Sequence, residues 1–194
     1  MTEITTRIEP RTVALSLIRA TALDEAARHP DTDGSPPNWE MYRGLTAALE
    51  SWQRGGTLRA DSLLLAQWLA IDLCAYLVQQ LDRAGMERWL RDFGDEVCRA
   101  QRHAHPAGPT AIEILSVVAA DLDARAQDPT GSERLAQIGV PYLLYPRTGH
   151  EVEDAREIAL TLALWAGAQL AALMHDAGRI SSYMDAREHT APRP

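Results

Sequence analysis

The sequence contains no lysine: its 194 residues include 19 basic side chains, and every one of them is arginine. This absence excludes lysine chemistry, because no Schiff base, P-loop lysine or lysine general base can form. Phenylalanine is nearly absent as well, with Phe93 alone. The core therefore has to be built mainly from leucine, alanine, valine and isoleucine, and a chain rich in alanine and leucine favours helices.

Cysteine and clustered positive charge are also scarce. Cys74 and Cys98 are too few for a disulfide framework and fit a reducing compartment. The N-terminal stretch is polar and lacks the apolar run of a secretory signal, so we expect a cytoplasmic protein. The net charge is −8, and neutralising phosphates requires grouped cations, so we expect no nucleic-acid partner.

Apolar residues recur with the helical period along nearly every long segment. The expected fold is all-α, a single-domain helical bundle of about six to eight helices. Two largely apolar segments, 60–84 and 151–177, are predicted to be its central helices, wrapped by amphipathic ones rather than by a membrane. We expect residues 10–187 to form the bundle, 1–9 to be a flexible N terminus, and 188–194 to be a frayed tail.

Breaks in the apolar pattern divide the chain into these segments. Proline and glycine predict a loop at 30–38, and Gly85 is predicted to end the first central helix. Thr110 followed by Glu113 has the spacing of a capping box at a helix start. The segment 140–149 is predicted to be an ordered, extended loop that lies over the core.

Each central helix carries a stripe of small residues at every fourth position. The first stripe is Ala66, Ala70 and Cys74, and the second is Ala163, Gly167 and Ala171. Small side chains let two helix backbones approach closely. We expect the two stripes to face each other, or to face their copies across a dimer axis.

Asp72 is the most unusual residue of the central helices, because it is the only charge between Ser62 and Leu81. A carboxylate on an apolar helix has to be paired, protonated or at a surface. An arginine partner is the simpler explanation, and a pocket that binds a small-molecule ligand at Asp72 is the alternative.

The stretch "RTGHEVEDAREIAL…AALMHDAGR" resembles the metal-binding region of HD-domain phosphohydrolases. The resemblance covers about thirty residues and implies metal ligands at His150 and at the His175–Asp176 pair. In that family, histidines and a carboxylate hold a divalent metal, which activates water against a phosphoester. The family's later metal-binding aspartate has no clear counterpart, since Asp185 is the only aspartate that follows.

A simpler interpretation of His175 and Asp176 is that an apolar helix reaches water after Met174, with Gly178 as its C-cap. On this interpretation 151–177 is one continuous helix, so His150 lies far from His175. We take it as the leading hypothesis, with no cofactor and with a divalent metal as the alternative.

Two further acidic or histidine motifs are weaker candidates. Glu151 and Asp154 form an ExxD motif that resembles one half of the metal site of all-α nucleotide pyrophosphatases, although acids in a first helical turn also suit the helix dipole. His103 and His105 lie in a proline- and glycine-containing loop without an evident third ligand.

These observations lead to three functional hypotheses. The first is a non-enzymatic cytosolic protein that acts through protein–protein interaction or regulation, as a homodimer. The second is an HD-like, metal-dependent phosphohydrolase that acts on a nucleotide-like substrate. The third is a small-molecule sensor with a pocket near Asp72. No membrane or nucleic-acid partner is expected under any of the three.

Overall fold

The computed structural model describes residues 7–27, 39–100, 107–120 and 150–190. No strand occurs in this part of the chain, so the all-α fold class is confirmed. The predicted loops at 30–38 and 140–149 lie outside it. The described part contains seven helices: α1 (Pro10–Ala27), α2 (Trp39–Arg54), α3 (Leu58–Leu77), α4 (Arg83–Ala100), α5 (Gly108–Ala120), α6 (Glu151–Met174) and α7 (Ala177–Thr190).

The two predicted central helices, α3 and α6, pack against each other, and both pack against α1. Each is long and apolar enough to cross a membrane by length and composition, a test that the core helices of soluble proteins also pass. Within the fold, 61% of the apolar stretch of α3 and 50% of that of α6 are buried. Burial against neighbouring helices satisfies much of this apolar surface inside the bundle.

Several helix ends differ from the sequence prediction. Gly85 does not end α3, which stops at Leu77, but lies in the first turn of α4. The carboxylate of Asp82 accepts a hydrogen bond from the Gly85 N–H at 2.7 Å, so Asp82 caps α4. In addition, α5 starts at Gly108, before Thr110, and α6 ends at Met174.

Two residues of the small-residue stripe of α6, Ala163 and Gly167, contact α1, which corrects the prediction that this stripe faces the stripe on α3 or its copy across a dimer axis. The hydroxyl oxygen of Thr21 lies 2.9 Å from the carbonyl oxygen of Ala163. A Cβ atom at Gly167 would lie 2.6 Å from the Cβ of Thr21 and 2.8 Å from the backbone nitrogen of Ala22. The prediction that Gly167 lets another helix backbone approach closely was therefore correct. The helix that approaches it is α1 and not α3.

Residues near both ends of the chain belong to the fold where the sequence predicts a flexible N terminus and a frayed tail. Arg7 forms an ion pair with buried Asp61, and the Ile8 carbonyl accepts a hydrogen bond from the Trp52 indole at 2.8 Å. The end of the predicted flexible N terminus is thus attached to α2 and α3. At the other end, α7 continues to Thr190, three residues into the predicted tail.

Candidate functional site

A fully buried carboxylate, that of Asp72, joins three helices. Asp72 lies on α3 with 0% of its surface exposed. Its Oδ2 accepts a hydrogen bond from Nη1 of Arg11 on α1 at 2.6 Å, and its Oδ1 accepts one from Nη2 of Arg187 on α7, also at 2.6 Å. The carboxylate is therefore paired, as one of the sequence hypotheses required, but with two cations.

Aromatic rings flank both guanidinium groups. The guanidinium carbon of Arg11 lies 4.6 Å from the ring centre of Trp68, a cation–π geometry. Arg187 donates a hydrogen bond to the Tyr183 hydroxyl at 3.1 Å. Burial opposes the charged form of Arg187, but attraction to Asp72 and contact with Tyr183 outweigh it and raise the pKa of Arg187.

Tyr76 lies one helical turn beyond Asp72, and its ring packs edge-on against Tyr183 with 6.2 Å between centres. The residue is fully buried, and no described residue lies within hydrogen-bonding distance of its hydroxyl. Burial and, next, the negative charge of Asp72 raise the pKa of Tyr76, so the hydroxyl keeps its proton. An unpaired buried hydroxyl costs about 1–3 kcal/mol.

Sequence reasoning found Asp72 but missed Arg11, Arg187 and Tyr76. Tyr76 had a usable signal, because a residue four positions after Asp72 lies on the same helix face. The two arginines had none, since they are 61 and 115 residues away along the chain. Only the packing of α1 and α7 on α3 brings them to the carboxylate.

The three residues implied by the HD-domain resemblance are not brought together. His150 precedes α6 and His175 follows it, and α6 is a continuous helix of 24 residues. At 1.5 Å per residue the two histidines are separated by about 37 Å. Within the described residues, no three histidine, cysteine, aspartate or glutamate side chains form a group that could hold a metal ion.

His175 and Asp176 instead form the connection between α6 and α7. His175 has a left-handed backbone with φ of 58°, and its N–H donates to the Ala171 carbonyl at 2.9 Å. Asp176 accepts a hydrogen bond from the Arg179 N–H at 3.0 Å and so caps α7. The predicted C-cap at Gly178 was wrong, because His175 ends α6 and Gly178 lies within α7.

The structure also bears on the remaining acidic and cysteine candidates. In the first turn of α6, Glu151 is exposed and Asp154 is buried, so the ExxD pair does not present two exposed carboxylates. His103 and His105 lie outside the described residues. Neither Cys74 nor Cys98 forms a disulfide; Cys74 is buried and Cys98 is exposed.

Replacing Asp176 by alanine is expected to lower the free energy of unfolding by about 1 kcal/mol, the usual loss for an N-cap. His175→Ala is the matched control and should change stability little, because the imidazole is exposed. Thermal melts of both variants, with and without a chelator, measure this. A chelator-sensitive loss of stability in the wild type would show instead that the pair binds metal.

Comparisons with protein-family models, with curated proteins and with solved structures find no match for this chain.

Proposed function

We propose that this chain is a non-enzymatic cytoplasmic protein that acts through protein–protein contact, with a second copy of itself as the partner. The observation that carries the proposal is the outward face of α3. Five apolar residues follow one another along α3 and its C-cap, Val78, at spacings of four, three, four and three, and none is fully buried: Leu64, Trp68, Ile71, Ala75 and Val78. We call these five residues the α3 seam.

The spacing of the α3 seam is that of a coiled-coil contact. A repeat of four and three residues keeps apolar side chains in line along one face of a helix, where they insert between those of a second helix. The seam extends over about 21 Å, from 14 residues at 1.5 Å each. Two of its residues are exposed to solvent, Trp68 by 37% and Val78 by 51%.

A second copy of the chain fits the seam in an antiparallel orientation centred on Ile71. In that pairing Leu64 of one copy lies opposite Val78 of the other, and the large Trp68 lies opposite the small Ala75. Such a contact is self-complementary, as a two-fold dimer requires. No seam residue is charged, so the pairing buries no unpaired ion.

The ends of the seam carry charges of opposite sign. Arg59, in the first turn of α3, and Asp82, in the connection that follows Val78, are both exposed. The antiparallel pairing brings Arg59 of each copy close to Asp82 of the other, which favours this orientation over a parallel one. One helix pair of this length buries on the order of 1,000 Å² or less, so we expect a weak dimer with a dissociation constant in the micromolar range.

Sedimentation across a concentration series tests the proposal. The wild type is expected to pass from monomer to dimer in the micromolar range, and Val78→Glu is expected to weaken the dimer by at least tenfold. Gln79→Glu is the matched control, since it adds the same charge at an exposed position beside the seam and should leave the dimer unchanged.

Three results would overturn the proposal. The first is a wild-type protein that stays monomeric throughout the series, and the second is a Val78→Glu variant that dimerises as well as the control. The third comes from flotation with anionic lipid vesicles. If the wild type binds vesicles as a monomer and Val78→Glu does not, the seam contacts a lipid surface and not a second copy.

A further inference from the structure

A cavity lies where the end of α2, the start of α3 and the segment before α1 meet. Its volume is about 460 Å³, which is within the usual range of small-molecule sites in proteins. Six residues line it, and none of the six is acidic: Arg7, Ser51, Trp52, Arg54, Gly55 and Thr57. No residue of the α3 seam is among them, so the cavity is separate from the seam.

The connection between α2 and α3 gives the cavity part of its wall. Gly56 has a left-handed backbone, with φ of 71°, in the turn that joins the two helices. The N–H of Thr57 donates to the Trp52 carbonyl at 2.9 Å, which closes this turn. The Trp52 indole donates to the Ile8 carbonyl at 2.8 Å and so attaches the segment before α1. The cavity is therefore formed by contacts within the fold.

Arg54 brings a positive charge to the cavity that no described carboxylate neutralises. Its Nε donates to the carbonyl oxygen of Glu50 at 3.3 Å, which leaves the N–H groups of its two terminal nitrogens as donors. Arg54 forms no ion pair with the described residues, and its side chain is exposed. An anion in the cavity would supply the missing negative charge.

Arg7 adds a second guanidinium group, which Asp61 holds in place. The carboxylate of Asp61 is fully buried on α3, and it accepts hydrogen bonds from Arg7 and from the Thr57 hydroxyl. A guanidinium group has five N–H donors, and the bond to Asp61 uses one of those on Arg7. The Arg7 side chain is 56% exposed, so its other donors can bind a ligand that enters from solvent.

Ser51 and the first turn of α3 add neutral donors beside the two cations. Ser51 lines the cavity, and its hydroxyl forms no hydrogen bond with a described residue. No side-chain hydrogen bond caps α3 at Thr57, whose hydroxyl donates to Asp61. The first N–H groups of α3 are thus left without a side-chain acceptor, and such groups favour anions.

We propose that the cavity binds a small phosphate monoester through Arg7, Arg54 and the Ser51 hydroxyl. A phosphate group has three terminal oxygens, which match two guanidinium groups and one hydroxyl as donors. Arginine suits phosphate because its planar fork of N–H groups can bind two oxygens at once. A bare phosphate ion fills only part of the cavity, which leaves room for the organic part of the ester.

Titration calorimetry of the full chain with glycerol 3-phosphate, inorganic phosphate and acetate as probes tests the site. We expect saturable binding of one glycerol 3-phosphate per chain and weaker binding of inorganic phosphate. Acetate should bind most weakly, because it has fewer oxygens and less charge than phosphate. Glycerol is the control for the organic part of the ester and should not bind.

Arg54→Gln should weaken glycerol 3-phosphate binding by at least tenfold, because it removes the cation that no described carboxylate balances. Its melting temperature should change little, since the described bond of Arg54 is to a backbone carbonyl at an exposed position. Arg83→Gln is the matched control. Arg83 is an exposed arginine that follows the opposite end of α3, a helix about 30 Å long, so this variant should bind as the wild type does.

Ser51→Ala tests the neutral donor. It should weaken glycerol 3-phosphate binding by about three- to tenfold, the effect of losing one hydrogen bond to a charged acceptor. Its melting temperature should not fall, because the hydroxyl has no described partner to lose and alanine is the better helix former.

Three outcomes would overturn the proposal. The first is no saturable binding of glycerol 3-phosphate or phosphate up to about 10 mM, where even millimolar affinity would be detected. In that case, binding to vesicles that contain phosphatidic acid would assign the cavity to a lipid headgroup. The second is an Arg54→Gln or Ser51→Ala variant that binds as tightly as Arg83→Gln. The third is tighter binding of acetate than of both phosphates, which would assign the cavity to carboxylates.

Discussion

Asp72→Ala is expected to lower the free energy of unfolding by about 3 kcal/mol, among the largest effects of any single substitution in this protein. The substitution leaves Arg11 and Arg187 beside each other with no carboxylate between them. Losses of about 3–5 kcal/mol are typical when one partner of a buried ion pair is removed. The lower end applies here because both arginines are partly exposed and can turn toward water.

Chemical denaturation of Asp72→Ala and of a matched control measures this effect. The control is Asp185→Ala, which removes an aspartate whose side chain is 57% exposed and pairs with Arg19. An exposed ion pair contributes about 0–1 kcal/mol, so the control should unfold nearly as the wild type does. Equal losses in the two variants would show that the carboxylate of Asp72 is not held as the structure describes.

A triple variant separates the role of the charges from that of the packing. Arg11→Met, Asp72→Leu and Arg187→Met together replace the ionic cluster by apolar side chains of similar size. Such replacements are often neutral or stabilising, so the triple variant should recover most of the stability that Asp72→Ala loses.

Gly167→Leu is the second substitution expected to have a large effect. Even the first added atom, a Cβ, would lie 2.6 Å from the Thr21 Cβ and 2.8 Å from the Ala22 backbone nitrogen. The second of these neighbours is backbone, so relief requires α1 to move away from α6. Overpacking typically costs about 1–3 kcal/mol, and a leucine at this crossing should reach or exceed the upper value.

Alanine at two glycine positions gives the sharpest control for this effect. Gly167→Ala should destabilise the protein by about 1–3 kcal/mol, although alanine is the better helix former. Gly44 lies on α2 with nothing within 4 Å of the Cβ that an alanine would add. Gly44→Ala should therefore raise stability by about 0.5–1 kcal/mol. Thermal melts that gave the same sign for both variants would contradict the tight α1–α6 crossing.

Part of the candidate site could be predicted from the sequence, and part could not. Asp72 was identifiable because its charge interrupts twenty otherwise uncharged residues, and a buried charge has to be compensated. Arg11 and Arg187 could not be assigned to it, since nothing local distinguishes them from the other seventeen arginines. The HD-like motif shows the opposite case. Its local sequence suggested a metal site, but a continuous helix separates His150 from His175 and Asp176.

The sequence by itself determined that the described chain is helical and which helices are central, because apolar periodicity and helix propensity act over a few neighbouring residues. The stripe of small residues also predicted that Gly167 packs closely against another helix. Which surface that is, α1 rather than α3, was decided by tertiary packing. Tertiary packing also decided which arginines reach Asp72. It decided the outward direction of the α3 seam as well, because a largely apolar helix has no continuous polar face to show which side is buried.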